Sequence, residues 1–397
     1  MKEGWEYKKL GDVIDHLRTG LNPRTHFKLN TPDAEGYYVT VRELKGFTIE
    51  PDEKTDKVNR AAIKRINERS NLKIGDVLFS GTGTIGKTAL VSELPENWNI
   101  KEGVYAMTPK HSELDSKYFI YYIGSDLFLR LVNDKAAGTG VRSIPMKELI
   151  KLPISIPPLS EQQSIVDYLD SAFAKIDAMK ANAEKALNEA KALFQASLKE
   201  MLEPKEGWEK KTIGELFKTY AGGTPLKSGK EYYEGGKIPW IRSGEVCKMY
   251  IKDCEMYITE EGMKNSSAKY YPINTVLVAM YGATAAQVGI LKFEATSNQA
   301  VCGILPHKDF VPEFVYYWFS NIQKDLAAQA QGGAQPNLSQ VKIKKVLISY
   351  PLLSEQQSVV DTLDSLKSKV DRLQANNDKI SQECDALKQA ILRQVFE

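Results

Sequence analysis

The chain has 397 residues, and its 53 lysines and arginines against 51 aspartates and glutamates give a formal net charge of +2. This length allows two or three domains with their own hydrophobic cores, and a composition of 42% hydrophobic and 26% charged residues is that of a globular protein. No stretch approaches about twenty apolar residues, the N-terminus lacks a signal-peptide core, and the cysteines form no CxxC pair, so we expect a reduced, zinc-free cytoplasmic protein that is neither secreted nor membrane-bound.

Residues 1–158 predict a first α+β domain. Apolar runs rich in β-branched and aromatic residues indicate strands at 37–41, 77–80, 104–107 and 152–156. Residues 116–132 place apolar side chains at helical spacing, which predicts one helix.

One motif in this domain indicates a nucleotide site. Gly81–Thr88 satisfies the GxxxxGK[ST] pattern of a phosphate-binding P-loop, directly after a predicted strand. Such a loop must open a helix, yet the chain reaches Pro95 after about two helical turns. The equivalent place in the second half, Tyr281–Gln287, has no Gly-Lys-Thr. A P-loop NTPase is therefore the alternative function, not the favoured one.

A long proline-free segment follows at 159–203 and returns at 353–397. Pro158–Asp170 (PLSEQQSIVDYLD) recurs as Leu352–Asp364 (LLSEQQSVVDTLD), shifted by 194 residues. Ser160 and Ser354 are suited to cap a helix, with Glu and Gln in the first turn. Both segments are predicted to be long helical arms.

Residues 204–352 repeat the plan of the first domain with different loops. Gly4–Val13 (GWEYKKLGDV) returns as Gly207–Leu216 (GWEKKTIGEL), and Val39–Arg42 has a counterpart in Trp240–Arg242. We therefore predict a second α+β domain and one fold that is used twice to recognise two different things.

The two arms have matched apolar periodicity. Spacings that alternate three and four predict the seam of a coiled coil, in which Met179, Leu193, Leu373 and Leu387 are members and Asn377 is a polar intruder. Antiparallel packing is expected, since it holds two globular domains apart. The arms carry net charges of −3 and −2, which leaves +7 on the domains, a bias that permits nucleic-acid binding.

Two divergent domains, each followed by a Ser-Glu-Gln-Gln helix, resemble the DNA-specificity subunit of type I restriction-modification enzymes. Supporting motifs in the second domain are Gly222–Pro225, Ile238–Arg242 and Ser297–Val301. In the first domain, Gly20–Pro23 and Lys101–Val104 depart from the corresponding patterns. The resemblance covers essentially the whole chain.

The resemblance implies a non-catalytic subunit that binds double-stranded DNA at a bipartite, asymmetric site, one half per domain. It implies docking of two modification subunits, which are adenine-N6 methyltransferases, and of restriction/motor subunits. S-adenosylmethionine, ATP and Mg belong to those partners, so no cofactor and no metal is expected on this chain.

DNA recognition requires Arg, Lys, Asn or Gln on loops that reach base edges and phosphates. In the first domain the candidates are Arg24, Lys28, Arg42, Thr82, Thr84, Lys87 and Arg142. In the second they are Lys227, Lys230, Arg242, Tyr281, Thr284, Gln287, Asn298, Gln299, Gln335 and Asn337. For the spacer and partner docking they are Ser160, Glu161, Gln162, Gln163, Ser354, Glu355, Gln356, Gln357 and Asn377. A further alternative is a structural adaptor with two peptide-binding domains on a coiled-coil spacer.

Overall fold

The computed structural model describes residues 4–93, 96–138, 140–329 and 338–397. The chain divides into two compact units. One comprises Met1–Ala183 and Asp378–Glu397, and the other comprises Glu184–Asn377. Each unit therefore contains one globular domain together with parts of both helical arms.

The first domain mixes short strands and short helices. Its strands are β1 (Glu6–Lys9), β2 (Ile14–Thr19), β3 (Gly36–Val39), β4 (Leu44–Lys45), β5 (Thr48–Ile49), β6 (Lys57–Val58), β7 (Val77–Ser80), β8 (Thr88–Leu90), β9 (Trp98–Ile100), β10 (Val104–Pro109) and β11 (Pro153–Ile156). Its helices are α1 (Pro23–His26), α2 (Arg60–Ser70), α3 (Ser116–Ile123), α4 (Asp126–Lys135) and α5 (Met146–Leu149), and the arm α6 (Leu159–Met201) follows.

The second domain has a similar order of elements. Its strands are β12 (Glu209–Thr212), β13 (Thr219–Ala221), β14 (Ile238–Ile241), β15 (Tyr250–Ile251), β16 (Tyr257–Ile258), β17 (Val276–Ala279), β18 (Val288–Leu291), β19 (Thr296–Ser297), β20 (Val301–Ile304) and β21 (Leu347–Tyr350). Its helices are α7 (Ile213–Leu216), α8 (Glu260–Lys264), α9 (Pro312–Asn321), α10 (Gln323–Gln329) and α11 (Gln340–Lys344), and the arm α12 (Leu353–Phe396) follows.

The sheets of the two domains correspond. A central antiparallel sheet has the order β2-β10-β7-β8 in the first domain and begins β13-β20-β17-β18 in the second, where β15 is added at the edge. A three-stranded sheet, β6-β3-β9 or β16-β14-β19, contains one parallel pair, and the first and last strands of each domain pair antiparallel. The strands β7 and β17 are buried along their full lengths because each is covered on both faces. The α+β prediction is confirmed for both domains.

Two local predictions are wrong. The single helix expected over 116–132 is broken into α3 and α4, because Ser125 caps a new helix by accepting a hydrogen bond from the Phe128 amide. The helical arms begin at Leu159 and Leu353, one residue before the serines that were expected to cap them. Ser160 and Ser354 therefore lie inside the first turn.

The arms pack antiparallel. In the first unit, Lys388 Nζ lies 2.6 Å from Asp177 Oδ1 and Lys180 Nζ lies 3.4 Å from Asp385 Oδ1, so positions that rise along α6 fall along α12. In the second unit, Lys191 donates to Gln374 at 2.7 Å. Among the helices of the described chain, none combines the length and apolarity needed to span a bilayer.

The predicted seam is partly wrong. Met179 and Leu193 are 59% and 61% exposed, and Leu373 and Leu387 also face outward. Phe173 and Leu187 are buried, whereas the predicted seam residues Ala172 and Ala186, each one position earlier, are not. Spacing alone does not choose between adjacent apolar residues, and packing of the helix ends against the domains sets the rotation of each helix. Asn377 is half-buried, as expected of a polar residue near the seam.

Candidate nucleic-acid interface

Four loops of the first domain meet at one end of its central sheet. Leu21 forms an isolated bridge with Lys101, and Thr82 forms another with Ser143. A Cβ added to Gly103 would lie 2.9 Å from the Thr82 side chain, so the loop before β10 touches the β7–β8 hairpin. The segments that carry these residues come from distant parts of the sequence and share one surface.

Three predicted DNA-binding residues lie on these segments. Arg24, Thr82 and Arg142 are exposed, and Arg142 donates to the Asn133 carbonyl at 2.9 Å. Lys101 belongs to the same surface and was not among the predicted residues. The surface therefore offers three cations and one hydroxyl to an anionic partner, beside one exposed carboxylate, Glu102.

The other predicted residues of the first domain lie elsewhere. Thr84, Lys87 and Arg42 line a groove of about 840 Å³ between the domain and the parts of both arms that belong to this unit. Arg42 is also held by Asp56 at 3.8 Å. Lys28 is exposed outside both groups. The structure thus separates the seven predicted residues into distinct places.

The second domain repeats the arrangement at the same end of its sheet. A Cβ on Gly20 would lie 1.7 Å from the Ile100 carbonyl oxygen, and one on Gly222 would lie 2.2 Å from the Asn298 carbonyl oxygen. Only glycine allows these close backbone approaches, which bring the loop before β20 against the loop after β13. Gln299 accepts a hydrogen bond there from the Thr224 hydroxyl.

The loop before the central strand is equivalent in the two domains. The Lys101 amide donates to the Val39 carbonyl at 2.8 Å, and the Asn298 amide donates to the Ile241 carbonyl at 2.9 Å. The two backbones therefore follow one course, whereas the side chain that leaves it is a cation in one domain and an amide in the other.

The β17–β18 hairpin carries three more predicted residues. Tyr281, Thr284 and Gln287 are half-buried. The side-chain oxygen of Gln287 is buried and has no hydrogen-bond partner among the described residues. An unsatisfied buried amide oxygen is costly, which makes this side chain a strong candidate for an external donor.

A cavity of about 620 Å³ is lined by residues of the segment 242–255 and by Asn298 in the loop before β20. Arg242 lies in its wall. Lys227 and Lys230 are exposed on the segment that follows Gly222–Pro225. The predicted Gln335 and Asn337 lie outside the described residues.

The predicted equivalence of Arg42 and Arg242 is wrong. The Thr40 amide donates to the Glu43 carboxylate at 2.7 Å, and the Arg242 amide donates to the Glu245 carboxylate at 2.8 Å. Each pair caps the same short 3-10 turn, so Thr40 is the counterpart of Arg242. Arg42 lies two residues further along and has no matching cation.

The P-loop alternative is contradicted. Residues 81–87 form a hairpin between β7 and β8, which pair antiparallel from Val77 with Leu90 to Phe79 with Thr88. No helix opens on the Gly-Lys-Thr sequence, so the amide-lined helix terminus that a nucleotide phosphate requires is missing at this place. In the described part of the chain, no group of three or more His, Cys, Asp or Glu is arranged to hold a metal.

The repeated Ser-Glu-Gln-Gln motif joins each arm to its own domain. Gln162 is fully buried, accepts from the Asp115 amide at 2.8 Å, and donates to the carbonyls of Glu113 at 2.7 Å and Pro157 at 2.8 Å. Gln356 makes the same three bonds, at 3.0–3.1 Å, to Val311, Asp309 and Pro351. Docking of a partner by these two glutamines is therefore wrong, because neither side chain reaches the surface.

The neighbours of the buried glutamines reinforce the same joint. The Trp5 indole donates to Glu161 at 2.8 Å, and the Trp208 indole donates to Glu355 at 3.1 Å. The other members of the two motifs are exposed, namely Ser160, Glu161, Gln163, Ser354, Glu355 and Gln357. Within the described residues, Gln163 and Gln357 donate only to aspartates one helical turn away, at 2.9 and 2.8 Å.

Acidic side chains of the arms strengthen these joints further. The hydroxyl of Tyr121 donates to Asp170, and that of Tyr317 donates to Asp364. Burial opposes ionisation of Asp170, yet hydrogen bonds from Lys117 and Tyr121 hold its pKa below the usual value. Burial, and then the neighbouring carboxylate, raises the pKa of Tyr317.

These observations define a class of protein: two similar recognition domains with different surface loops, each fastened to a pair of antiparallel helices. The sequence profile described as "Type I restriction modification DNA specificity domain" matches residues 2–189 and 205–382. The chain belongs to this family.

Individual relatives agree with the fold. The specificity subunit of the Escherichia coli type I restriction enzyme EcoR124I/EcoR124II is 32% identical over 225 residues, which cover 54% of this chain and 55% of that protein. The match thus spans about half of that relative's length. A solved structure of a type I restriction-modification system contains a chain that aligns over 100% of this chain and 98% of its own, with a TM-score of 0.74 and 18% identity. The HsdS subunit of Thermoanaerobacter tengcongensis aligns over 100% and 97%, with a TM-score of 0.58 and 18% identity.

Proposed function

We propose that this chain is the non-catalytic specificity subunit of a type I restriction-modification enzyme. In this proposal each domain binds one half of a bipartite, asymmetric DNA site, and the paired helices set the distance between the halves. The chain acts in the cytoplasm, where duplex DNA is accessible.

One observation carries the proposal. Equivalent backbone positions at the same sheet end bear Lys101 and Glu102 in the first domain but Asn298 and Gln299 in the second. Lysine is suited to guanine acceptors and phosphates, whereas Asn and Gln are suited to adenine. A shared framework with exchanged hydrogen-bonding groups is what recognition of two different half-sites requires.

The partners in this proposal are two modification subunits, which methylate adenine N6, and restriction/motor subunits. S-adenosylmethionine, ATP and Mg are used on those subunits, and this chain has no cofactor of its own. The outward apolar side chains Met179 and Leu387 in one unit, and Leu193 and Leu373 in the other, support docking on the arms. One apolar pair per unit fits two copies of the same partner.

The proposal is tested by selecting DNA from a pool of random duplexes with the chain assembled with its modification subunits. We expect retention of one split motif, and sequencing of methylated bases in a host that carries the complex should return the same motif. Retention of all duplexes alike, or of none, would contradict the proposal, and the second outcome would favour the adaptor alternative.

Point variants test which loop residues contact bases and which contact phosphates. We expect Gln287→Ala to change preference at one half-site by about 1–3 kcal/mol and Lys227→Ala to weaken binding to all sequences. Lys185→Ala is the matched control, since this lysine is exposed on an arm, was not predicted to bind DNA or a partner, and pairs with Glu189 of its own helix. If Gln287→Ala and Lys227→Ala both behave like the control, the loop assignment is wrong.

A further inference from the structure

Helix α2 of the first domain has a well-defined start, end and buried face. Asn59 caps it by accepting from the Ala62 amide at 2.9 Å, and Asn71 ends it in a left-handed conformation with φ of 37°. Ala62 and Ile66 are buried, and the Ser70 hydroxyl donates to Asn99 in β9 at 2.8 Å. The opposite face of α2 is therefore fixed in its direction toward solvent.

That outer face is basic. Arg60, Lys64, Arg65 and Arg69 are all exposed, and Glu68 is the only acidic residue of the helix. Arg60 and Lys64 are one helical turn apart, and neither has a hydrogen bond or an ion pair within the described residues. Glu68 lies one turn beyond Lys64 and is the one anion of the helix, so α2 keeps an excess of positive charge, which favours an anionic ligand.

The helix adjoins the candidate interface. Arg65 Nη1 donates to the His26 carbonyl at 2.8 Å, which ties α2 to the short helix that carries Arg24. Arg69 Nη2 lies 3.7 Å from Glu102 Oε1, in the loop next to Lys101. The basic face of α2 thus extends the cationic surface around the loops, rather than forming a separate patch.

The described residues of the second domain form no equivalent of this surface. Its helix at the corresponding place, α8, has 5 residues against 11 in α2, and it begins with Glu260 and Glu261. A structural need of the fold would apply to both domains. The length and charge of α2 therefore point to a contact that the first domain makes with its ligand and that α8 does not make.

We propose that α2 binds the phosphodiester backbone of DNA beside the first half-site, with Arg60 and Lys64 as phosphate contacts. This inference rests on the proposed function. It implies that the first domain supplies a larger sequence-independent part of the affinity than the second, because phosphate contacts act on any sequence.

The test compares the full chain, in its complex, with the double variant Arg60→Gln/Lys64→Gln, since glutamine retains length and helix propensity. Binding is measured against salt concentration, on a duplex with the selected motif and on a random duplex. The slope of log K against log salt is negative, and the loss of two phosphate contacts should make it less negative by about 1.8. Affinity should fall roughly tenfold or more on both duplexes. The matched control is Lys185→Gln/Lys379→Gln, which removes the same charge from exposed positions of the arms that pair only within their own helices.

The outcomes separate the two proposals. If the unaltered complex retains no duplex, the proposed function fails. If it binds and the α2 variant keeps its slope and affinity, the inference on α2 is wrong and the proposed function stands. A variant that loses preference at one half-site while retaining its affinity for random DNA would also overturn the phosphate assignment, because it would make α2 a base-reading element.

Discussion

Replacement of Gln162 by alanine should loosen the joint between the first domain and its arm. The side chain makes three hydrogen bonds, to the Asp115 amide and to the carbonyls of Glu113 and Pro157, and it is 0% exposed. Truncation leaves one backbone donor and two acceptors without partners, away from water.

The magnitude follows from these contacts. A net contribution of about 1 kcal/mol for each bond, with a further cost for the cavity that the side chain leaves, gives a loss of about 3–5 kcal/mol. Gln163 lies next to it, is exposed, and donates only to Asp167 at 2.9 Å. Gln163→Ala should therefore cost less than about 0.5 kcal/mol.

Hydrogen exchange measured by mass spectrometry provides a local readout, because the Asp115 amide loses its acceptor in Gln162→Ala. Faster exchange is expected around Asp115, with unchanged exchange around Val311, whose amide is held by Gln356 at 3.1 Å. Gln356→Ala should reverse this pattern. Equal stability and equal exchange in Gln162→Ala and Gln163→Ala would refute the reasoning.

Three other predictions concern stability. Asp76→Ala should destabilise the chain by about 3–5 kcal/mol in urea unfolding, because it removes the carboxylate that lies 2.9 Å from the largely buried Arg18 guanidinium. A loss below about 1 kcal/mol would contradict this. Leu187→Ala should cost about 2–4 kcal/mol and Leu193→Ala less than about 0.5, because Leu187 is 4% exposed and Leu193 is 61% exposed; the reverse order of unfolding midpoints would restore the predicted seam. The pKa of Asp170 is lowered by folding. Its contribution to the free energy of unfolding is therefore fully present above the ordinary pKa of 3.8 and is lost as the pH falls through the lower pKa of the folded state. Asp170→Asn should flatten that part of the acid-unfolding curve. An unchanged curve would show that this carboxylate does not contribute to the pH dependence of stability.

The arms show where periodicity stops being informative. Their extent was predictable, because 43 and 44 residues without a proline form α6 and α12. The choice between Ala186 and Leu187, or between Leu193 and Phe194, was not. Both members of each pair are apolar neighbours, and only the partner helix and the domain decide which of them is buried.

The candidate interface shows the same limit at longer range. Arg24, Thr82 and Arg142 could be selected as polar loop residues, but their proximity depends on strand pairing between distant segments. The equivalence of Arg42 with Arg242 failed because a two-residue shift in a loop leaves no trace in local composition. The cations of α2 were not among the predicted residues, and their relation to the other loops depends on the contacts of Arg65 and Arg69.

Three features could be predicted from local sequence patterns: one α+β plan occurs twice, each copy ends in a long helix, and the motif that begins each helix is shared while the loops are not. These are properties of local pattern, because turn residues, strand runs and helical periodicity act within a few residues. The burial of Gln162 and Gln356 in the joints between domain and arm, and the identity of the loops that share a surface, depend on the folded chain. Burial and convergence depend on what packs against a segment from elsewhere in the chain, and no short stretch of sequence contains that information.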